Sequence, residues 1–242
     1  MLGEDAASHV IVAMDCAPER ALELADLMSG TLAWAKVGME LFYAAGADVV
    51  RALKGRGLSV FLDLKLHDIP NTVRSASRVL ASLGVDMLTI HASGGPAMVA
   101  AARAGLDEGA AQAGLAAPRL LAVTVLTSMD ADQLAAVGIE RSAAAQADLL
   151  ARMAVANGAD GVVCSPLEAA AMRAALGPDA LIVTPGVRPA GTATGDQSRV
   201  ATPGDAIRAG ATHLVVGRPI TRADDPLRAL RDVEEEVRQA MA

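Results

Sequence analysis

The chain has 242 residues, of which 52% are hydrophobic and 20% are charged, so it can bury a sizeable core and is not of the disordered class. Its formal net charge of −7, with no run of Lys or Arg, argues against a nucleic-acid partner. Cys16 and Cys164 are isolated and form no CxxC or Cys/His pattern, so the sequence indicates neither a zinc site nor a disulfide framework. An acidic N-terminal segment and the lack of a membrane-length apolar run predict a cytoplasmic protein with no membrane partner.

Short β-rich segments recur along the chain, and helical patterns fill the intervals between them. The predicted strands are, in chain order, "HVIVAMD", "AWAKVGM", "LSVFLDLK", "DMLTIHAS", "RLLAVTVLTS", "DGVVCS", "ALIVTPG" and "THLVVG". The clearest helical segments are "PERALELADLMSG", "NTVRSASRVLASLG", "AAQADLLARMAVANG" and "DDPLRALRDVEEEVRQAMA". Several strands are apolar throughout, as in a parallel sheet that is covered on both faces.

This alternation predicts the α/β class and, more narrowly, a single-domain (β/α)8 TIM barrel over residues 1–242. Each strand-helix unit has about thirty residues, which suits such a barrel, and no linker divides the chain. An open doubly wound sheet is the alternative, because strand patterns do not reveal whether a sheet closes. The absence of a GxGxxG or GxxxxGK[ST] motif after the first strand weighs against that alternative.

Polar residues collect at the predicted C-terminal ends of the strands, where barrels of this type build their active sites. Because Asp63 and Lys65 are two residues apart, an extended strand would point both side chains to one face. Buried charges are costly unless paired, so alternating ammonium and carboxylate groups favour one network. A structural ion pair at the barrel mouth is the alternative for these two residues. The strand-end candidates are Asp15, Lys36, Asp63, Lys65, His91, Thr127 with Ser128, Thr184, and Gly217 with Arg218.

Two segments near the end of the chain indicate an anion site. After the seventh strand comes the long, polar, glycine-rich segment "GVRPAGTATGDQSRVATP", and "VVGRPIT" presents Gly217 and Arg218 before a short predicted helix. In (β/α)8 barrels the loops after strands 7 and 8 commonly hold a phosphate, aided by backbone N–H groups and a helix N-terminus. The alternative is an ordinary loop with a surface arginine.

In combination these segments resemble the orotidine 5'-phosphate decarboxylase family, in its compact bacterial type. The matching blocks, in order between Val10 and Arg222, are "VAMD", "AKVGMELF", "FLDLKLHDIPNTV", "TIHASGG", "VTVLTSM", "TPGVRP", "GDQSRVATP" and "VVGRPIT". The resemblance implies decarboxylation of orotidine 5'-phosphate to uridine 5'-phosphate and CO2, the last step of de novo pyrimidine nucleotide biosynthesis. It also implies no cofactor, no bound metal, and a homodimer with shared active sites.

The resemblance further implies roles for single residues. Lys65 is the expected proton donor in an Asp-Lys-Asp centre with Asp63, which also contacts substrate, and with Asp68, which reaches the site of the other subunit. Lys36 joins this catalytic network and, with Asp15, holds the ribose hydroxyls. The other substrate-binding candidates are Thr72, then Thr127 and Ser128 at the pyrimidine edge, and Arg188, Gln197, Gly217 and Arg218 at the phosphate, where residues 188–199 would close as a lid.

This reaction explains why an ammonium and a carboxylate would share one strand end. The electrons left on C6 occupy an in-plane orbital and cannot delocalise into the ring carbonyls, so their stabilisation must be mainly electrostatic. A fixed ammonium beside C6 supplies that stabilisation and then a proton. Flanking carboxylates keep Lys65 in its charged form.

Two other functions are compatible with the sequence. A sugar-phosphate decarboxylase of the same superfamily would pass through an enediolate and would need a divalent metal held by carboxylates. The lysines that alternate with the carboxylates here would repel that metal. A non-catalytic nucleotide-binding barrel would have no evident use for Lys65.

Overall fold

The computed structural model describes residues 6–189 and 201–242, and its sheet is a closed barrel of parallel strands. The strands are β1 Val10–Ala13, β2 Trp34–Gly38, β3 Ser59–Leu66, β4 Met87–His91, β5 Arg119–Val123, β6 Gly161–Val163, β7 Leu181–Thr184 and β8 His213–Val216. Each strand pairs with the next, and β8 returns to β1 with Val10 opposite Leu214. The closed order confirms the (β/α)8 barrel and rules out the open sheet. The extent of the domain over 1–242 stays a prediction.

Helices follow the strands along the chain. They are α1 Pro18–Leu27, α2 Met39–Ala45, α3 Ala47–Lys54, α4 Pro70–Ala81, α5 Pro96–Ala113, α6 Ala131–Ala136, α7 Ala143–Ala156, α8 Ala169–Leu176, α9 Pro203–Arg208, α10 Arg218–Thr221 and α11 Pro226–Met241. The four helical segments predicted from the sequence correspond to α1, α4, α7 and α11. Several helices begin at a proline, whose fixed φ and missing N–H suit a first helical turn.

The barrel interior is filled by side chains that alternate along the strands. The period of two therefore places Asp63 inside the barrel above Phe61, and Thr89 and His91 in line above Met87. The strand ends thus present polar groups on top of an apolar layer. The interior residues below them are Ile11, Ala13, Phe61, Met87, Leu121, Val123, Val163, Val183 and Val215.

Helices α4 and α5 touch through their backbones. A Cβ atom added at Gly105 would lie 2.2 Å from the carbonyl oxygen of Arg74, and one at Gly109 would lie 2.0 Å from that of Arg78. Any side chain at either glycine would overlap the backbone of α4. The close contact with α5 therefore fixes the position of α4, which is the helix that follows the polar end of β3.

The opposite end of the barrel holds a histidine pair. His9 precedes β1 and bonds through Nδ1 to the carbonyl oxygen of Thr212 at 2.7 Å, while His213 opens β8. The Trp34 ring meets the His213 ring edge-on at a centroid distance of 5.6 Å. Burial, and secondarily the charge of His9, lowers the pKa of His213 to about 4. Both histidines lie away from the C-terminal strand ends.

Within the described part of the chain, no helix is both long and apolar enough to cross a membrane. Cys16 and Cys164 are not joined in a disulfide.

Candidate active site

A cavity of about 420 Å³ opens at the C-terminal ends of the strands. Its floor is the top of the apolar barrel interior, including Phe61 and Val215. Glu40 and Arg222 were not anticipated from the sequence, although Arg222 follows Arg218 by one helical turn. The polar and charged residues of the lining are Asp15, Lys36, Glu40, Asp63, Lys65, Thr127, Arg188, Arg218, Thr221 and Arg222.

Four of the predicted residues form a continuous line of alternating charge. The Nζ of Lys65 lies 2.8 Å from Oδ2 of Asp63, and the Nζ of Lys36 lies 3.5 Å from the same oxygen. Lys36 also donates to Oδ1 of Asp15 at 3.0 Å. The structure therefore brings together Asp15, Lys36, Asp63 and Lys65 at the ends of three adjacent strands.

Asp63 is ionised at neutral pH although it is only 8% exposed. Burial raises the pKa of this carboxyl, but the nearby charges of Lys36 and Lys65 and the hydrogen bonds from Lys65 and Thr89 outweigh burial and hold the pKa below its usual range. Among residues 6–189 and 201–242, no three His, Cys, Asp or Glu side chains are grouped so as to hold a metal ion.

Lys65 departs from the extended conformation assumed from the sequence. Its φ is +51°, and the pairing of β3 with β4 shifts register between Leu62 and Leu66. The expectation that an extended strand aligns Asp63 and Lys65 is therefore wrong, and a bulged strand makes their contact instead. A non-glycine residue in this region costs about 1–3 kcal/mol, and such strain concentrates at functional sites.

Thr89 joins the backbone of Lys65 to the carboxylate of Asp63. Its hydroxyl donates to Oδ1 of Asp63 at 2.9 Å and accepts the backbone N–H of Lys65 at 2.9 Å. The residue is fully buried. Sequence reasoning passed over Thr89, although it lies two positions before His91 and therefore on the same face of β4.

His91 lies beside the charged line. Its ring is 5.5 Å from that of His67, at an interplanar angle of 40°. Burial is the main cause of a lowered pKa at His91, and the charges of His67 and Lys65 lower it further. His91 is therefore mainly neutral at pH 7, next to Lys65 but outside the cavity lining.

The region after β5 differs from the sequence-based expectation. The predicted strand reached Ser128, but β5 ends at Val123, so Thr127 and Ser128 belong to the following loop. Thr127 lines the cavity, whereas Ser128 is not part of the lining. Thr184 does end β7 but is fully buried and also outside the lining.

The predicted anion site falls at the ends of β7 and β8. Gly217 and Arg218 lie where β8 passes into α10, and both line the cavity. Arg188 lines it from the segment after β7 and donates to the carbonyl oxygen of Val187 at 2.9 Å. Gln197 and most of the predicted lid lie outside the described residues.

Asp68 and Thr72 are not brought to the cavity of their own chain. Both are exposed, Asp68 in the turn after β3 and Thr72 in the first turn of α4. The Asp68 carboxylate accepts the backbone N–H of Ile69 at 2.6 Å. Neither residue lines the cavity that contains Lys65.

The chain is a closed parallel (β/α)8 barrel with a charged cavity at the C-terminal ends of its strands. This is the architecture of the (β/α)8-barrel enzymes, which build their active sites at that end. The model of the Orotidine 5'-phosphate decarboxylase / HUMPS family matches residues 8–233. The chain belongs to this family, which confirms the resemblance noted in its sequence.

Curated relatives and solved structures agree with this assignment. The chain is 52% identical over 239 residues to Orotidine 5'-phosphate decarboxylase of Moorella thermoacetica, covering 98% of this chain and 95% of the relative. It is 56% identical over 198 residues to the protein of that name from Anaeromyxobacter sp. (strain K), covering 82% and 84%. The crystal structure of Orotidine 5'-phosphate decarboxylase from Lactobacillus acidophilus superposes with a TM-score of 0.84 at 44% identity, covering 94% of this chain and 98% of that one.

Proposed function

We propose that this protein decarboxylates orotidine 5'-phosphate to uridine 5'-phosphate and CO2, the last step of de novo pyrimidine nucleotide biosynthesis, in the cytoplasm. The names of its relatives support the reaction. The observation that carries the proposal is the buried Asp63 carboxylate with an ammonium on either side, in a cavity that also contains arginines. A reaction that develops negative charge on one carbon requires fixed positive charges of this kind beside it.

Lys65 supplies the electrostatic stabilisation and the proton. When the bond between C6 and the carboxylate breaks, CO2 departs and the electron pair stays in the plane of the ring on C6. The Lys65 ammonium faces that pair and then transfers a proton to C6, which completes uridine 5'-phosphate. A pair of unit charges 4 Å apart is worth about 4 kcal/mol at an effective dielectric constant near 20, so this lysine is a substantial part of the stabilisation.

Asp63 and Lys36 hold Lys65 in place for this step. The Asp63 carboxylate fixes the Lys65 ammonium at 2.8 Å, and Lys36 balances the charge of Asp63 from the other side. Two ammonium groups at one carboxylate also oppose the binding of a divalent cation there. We therefore propose a mechanism that needs neither metal nor cofactor.

The remaining residues predicted from the sequence bind the parts of the substrate that do not react. Asp15 and Lys36 hold the ribose hydroxyls. Contacts of this kind, remote from C6, orient the substrate and supply the binding energy that closes the site. The other proposed contacts are Thr127 and Ser128 to the pyrimidine edge, Asp63 and Thr72 to the substrate, and Arg188, Gln197, Gly217 and Arg218 to the phosphate, with residues 188–199 as the lid.

A homodimer with shared active sites would explain the position of Asp68. The side chain is charged, follows the catalytic strand directly, and yet lies outside the cavity of its own chain. The neighbouring Ile69 is 67% exposed, as expected for an apolar residue that a second subunit covers. Asp68 and Thr72 would then complete the site of the other subunit, giving its Lys65 a second carboxylate.

The test is to add metal-free protein to orotidine 5'-phosphate and follow the ultraviolet absorbance of the pyrimidine. We expect conversion to uridine 5'-phosphate that chelation with EDTA does not reduce. No change in absorbance would contradict the proposed function. Activity that EDTA abolished and magnesium restored would contradict the metal-free mechanism and favour the metal-dependent sugar-phosphate decarboxylase.

A further inference from the structure

We propose that Thr89 is a positioning residue for decarboxylation, whose hydroxyl fixes the Lys65 backbone and the Asp63 carboxylate in one arrangement. This role rests on the proposed function, because it acts through the lysine that would protonate C6. Thr89 does not line the cavity, so its contribution would be made without contact with substrate.

The direction of both hydrogen bonds is set by chemistry. An ionised carboxylate can only accept, so the Thr89 hydroxyl must donate its one hydrogen to Asp63. Its lone pairs are then available to the Lys65 N–H, which can only donate. A single oxygen thereby ties together the backbone of one catalytic residue and the side chain of the other.

The bond to the Lys65 N–H takes the place of a missing sheet contact. Backbone N–H groups in a parallel sheet pair with carbonyl groups of the next strand, but the register of β3 and β4 shifts at this point. The Thr89 side chain accepts the Lys65 N–H instead, at the residue whose φ is +51°. Loss of the hydroxyl would leave a strained residue without this bond, and Thr89 is fully buried, so water has little access to replace it.

Threonine suits this position better than a flexible polar residue. Branching at Cβ restricts its χ1 angle, so the hydroxyl keeps one direction. Serine would keep the hydroxyl with more freedom, and valine would keep the shape without the hydroxyl. These two substitutions separate the hydrogen bonds from the packing.

The experiment compares Thr89→Val and Thr89→Ser with the wild-type enzyme. In Thr89→Val we expect kcat to fall about a hundredfold, because a displacement of about 1 Å at a catalytic group has an effect of this size. The affinity for uridine 5'-phosphate should stay within about threefold, and Thr89→Ser should recover most of the lost kcat. The matched control is Thr124→Val, which removes another buried hydroxyl, bonded to the carbonyl oxygen of Val163 at 3.2 Å, and should keep kcat near wild type.

The pH profile provides a readout that a general loss of stability would not change. Asp63 faces Lys36 from β2, Lys65 from its own strand, and Thr89 and His91 from β4. Removal of the Thr89 donor raises the pKa of Asp63, so the acid limb of kcat/KM should move to higher pH in Thr89→Val. In Thr89→Ser this limb should return toward the wild-type position.

Unchanged kcat in Thr89→Val would overturn the proposal, and so would Thr89→Ser being as impaired as Thr89→Val. If the wild-type protein itself did not convert orotidine 5'-phosphate, the proposed function would fail separately. Crystal structures of the variants would then decide the role of Thr89. A Lys65 φ and a Lys65–Asp63 contact unchanged in Thr89→Val would overturn it, whereas an extended Lys65 with a lengthened contact would support it.

Discussion

Lys36 and Asp63 are joined across β2 and β3, with Lys36 Nζ 3.5 Å from Asp63 Oδ2, the oxygen that also meets Lys65. Asp63 therefore keeps one cation when Lys65 is removed. The carboxylate should stay ionised in such a variant, so the loss of Lys65 changes the charge at the reacting carbon rather than the protonation of its neighbour. This makes Lys65 the clearest residue to test.

In Lys65→Ala we expect decarboxylation to fall by many orders of magnitude, because both the counter-charge and the proton source for C6 are gone. Uridine 5'-phosphate should still bind, and the anionic substrate should lose more affinity than this product, since its carboxylate would meet Asp63 without Lys65. The measurements are turnover, product affinity and a melting curve on one preparation.

The matched control is Lys54→Ala, which removes another partly exposed lysine that is 2.7 Å from a carboxylate, that of Asp86. Lys54→Ala should keep full turnover. Near-normal turnover in Lys65→Ala would remove that lysine from the mechanism. Lost turnover with a collapsed melting curve would instead support the structural ion pair.

Asp68 allows a test of the shared active site. We expect Asp68→Ala and Lys65→Ala proteins to be inactive alone and to regain activity when mixed and allowed to exchange subunits. A hybrid dimer would contain one intact site, with Lys65 from one chain and Asp68 from the other. Formation of the hybrid would be verified with two affinity tags, and a verified hybrid without activity would place Asp68 outside the site of the other subunit.

Arg218 should act on the phosphate alone. In Arg218→Ala we expect kcat/KM for orotidine 5'-phosphate to fall roughly ten- to a hundredfold, the equivalent of about 1.5–3 kcal/mol for a charge-assisted contact. The slow turnover of orotidine, which has no phosphate, should barely change. Arg228→Ala is the control, because it removes the same charge from an exposed position on α11, where Arg228 is 4.0 Å from Asp232. Equal losses for both substrates would indicate that Arg218 supports the structure.

The lowered pKa of His213 should make the stability of the protein depend on pH. Its pKa is about 4 in the folded protein, below the ordinary value of 6.5, so the unfolded chain binds a proton that the folded chain does not over this range. The stability contributed by neutral His213 is complete above about pH 6.5 and is lost as pH falls toward 4. We expect this loss to be about 1–3 kcal/mol.

His213→Gln should therefore lose less stability than the wild type between pH 6.5 and 4. Urea unfolding at several pH values measures the difference. Parallel stability curves for the two proteins would show that His213 does not titrate on unfolding.

The strands could be located from the sequence because parallel strands covered on both faces are short apolar runs between helical segments. The same apolar composition makes the end of a strand hard to predict. The run after β5 continues through Val125 and Leu126, which line the cavity from a loop. An apolar residue in a cavity wall cannot be distinguished by composition from one in a strand, so β5 was predicted too long.

Most charged residues of the cavity, Glu40 and Arg222 excepted, could also be located, because charges at successive strand ends have few structural explanations. The conformation of Lys65 and the role of Thr89 could not. Both depend on the register between β3 and β4, and that register is set by packing in three dimensions. A threonine in a strand is common, and only its contacts at 2.9 Å with two catalytic candidates distinguish Thr89 from others.

The pairing of β1 with β8 has a consequence for synthesis of the protein on the ribosome. Val10 and Leu214 are opposite each other in the barrel, yet most of the chain lies between them. At elongation rates of about 5–20 residues per second, the interval between the emergence of these strands is roughly 10–40 s. For most of that time Asp15 and Lys36 are outside the ribosome while Gly217 and Arg218 are not yet available to complete the cavity. Any sheet that forms before β8 emerges has an open edge at β1, which is accessible to holdase chaperones and neighbouring nascent chains, whereas no such edge remains among the eight strands once the barrel has closed.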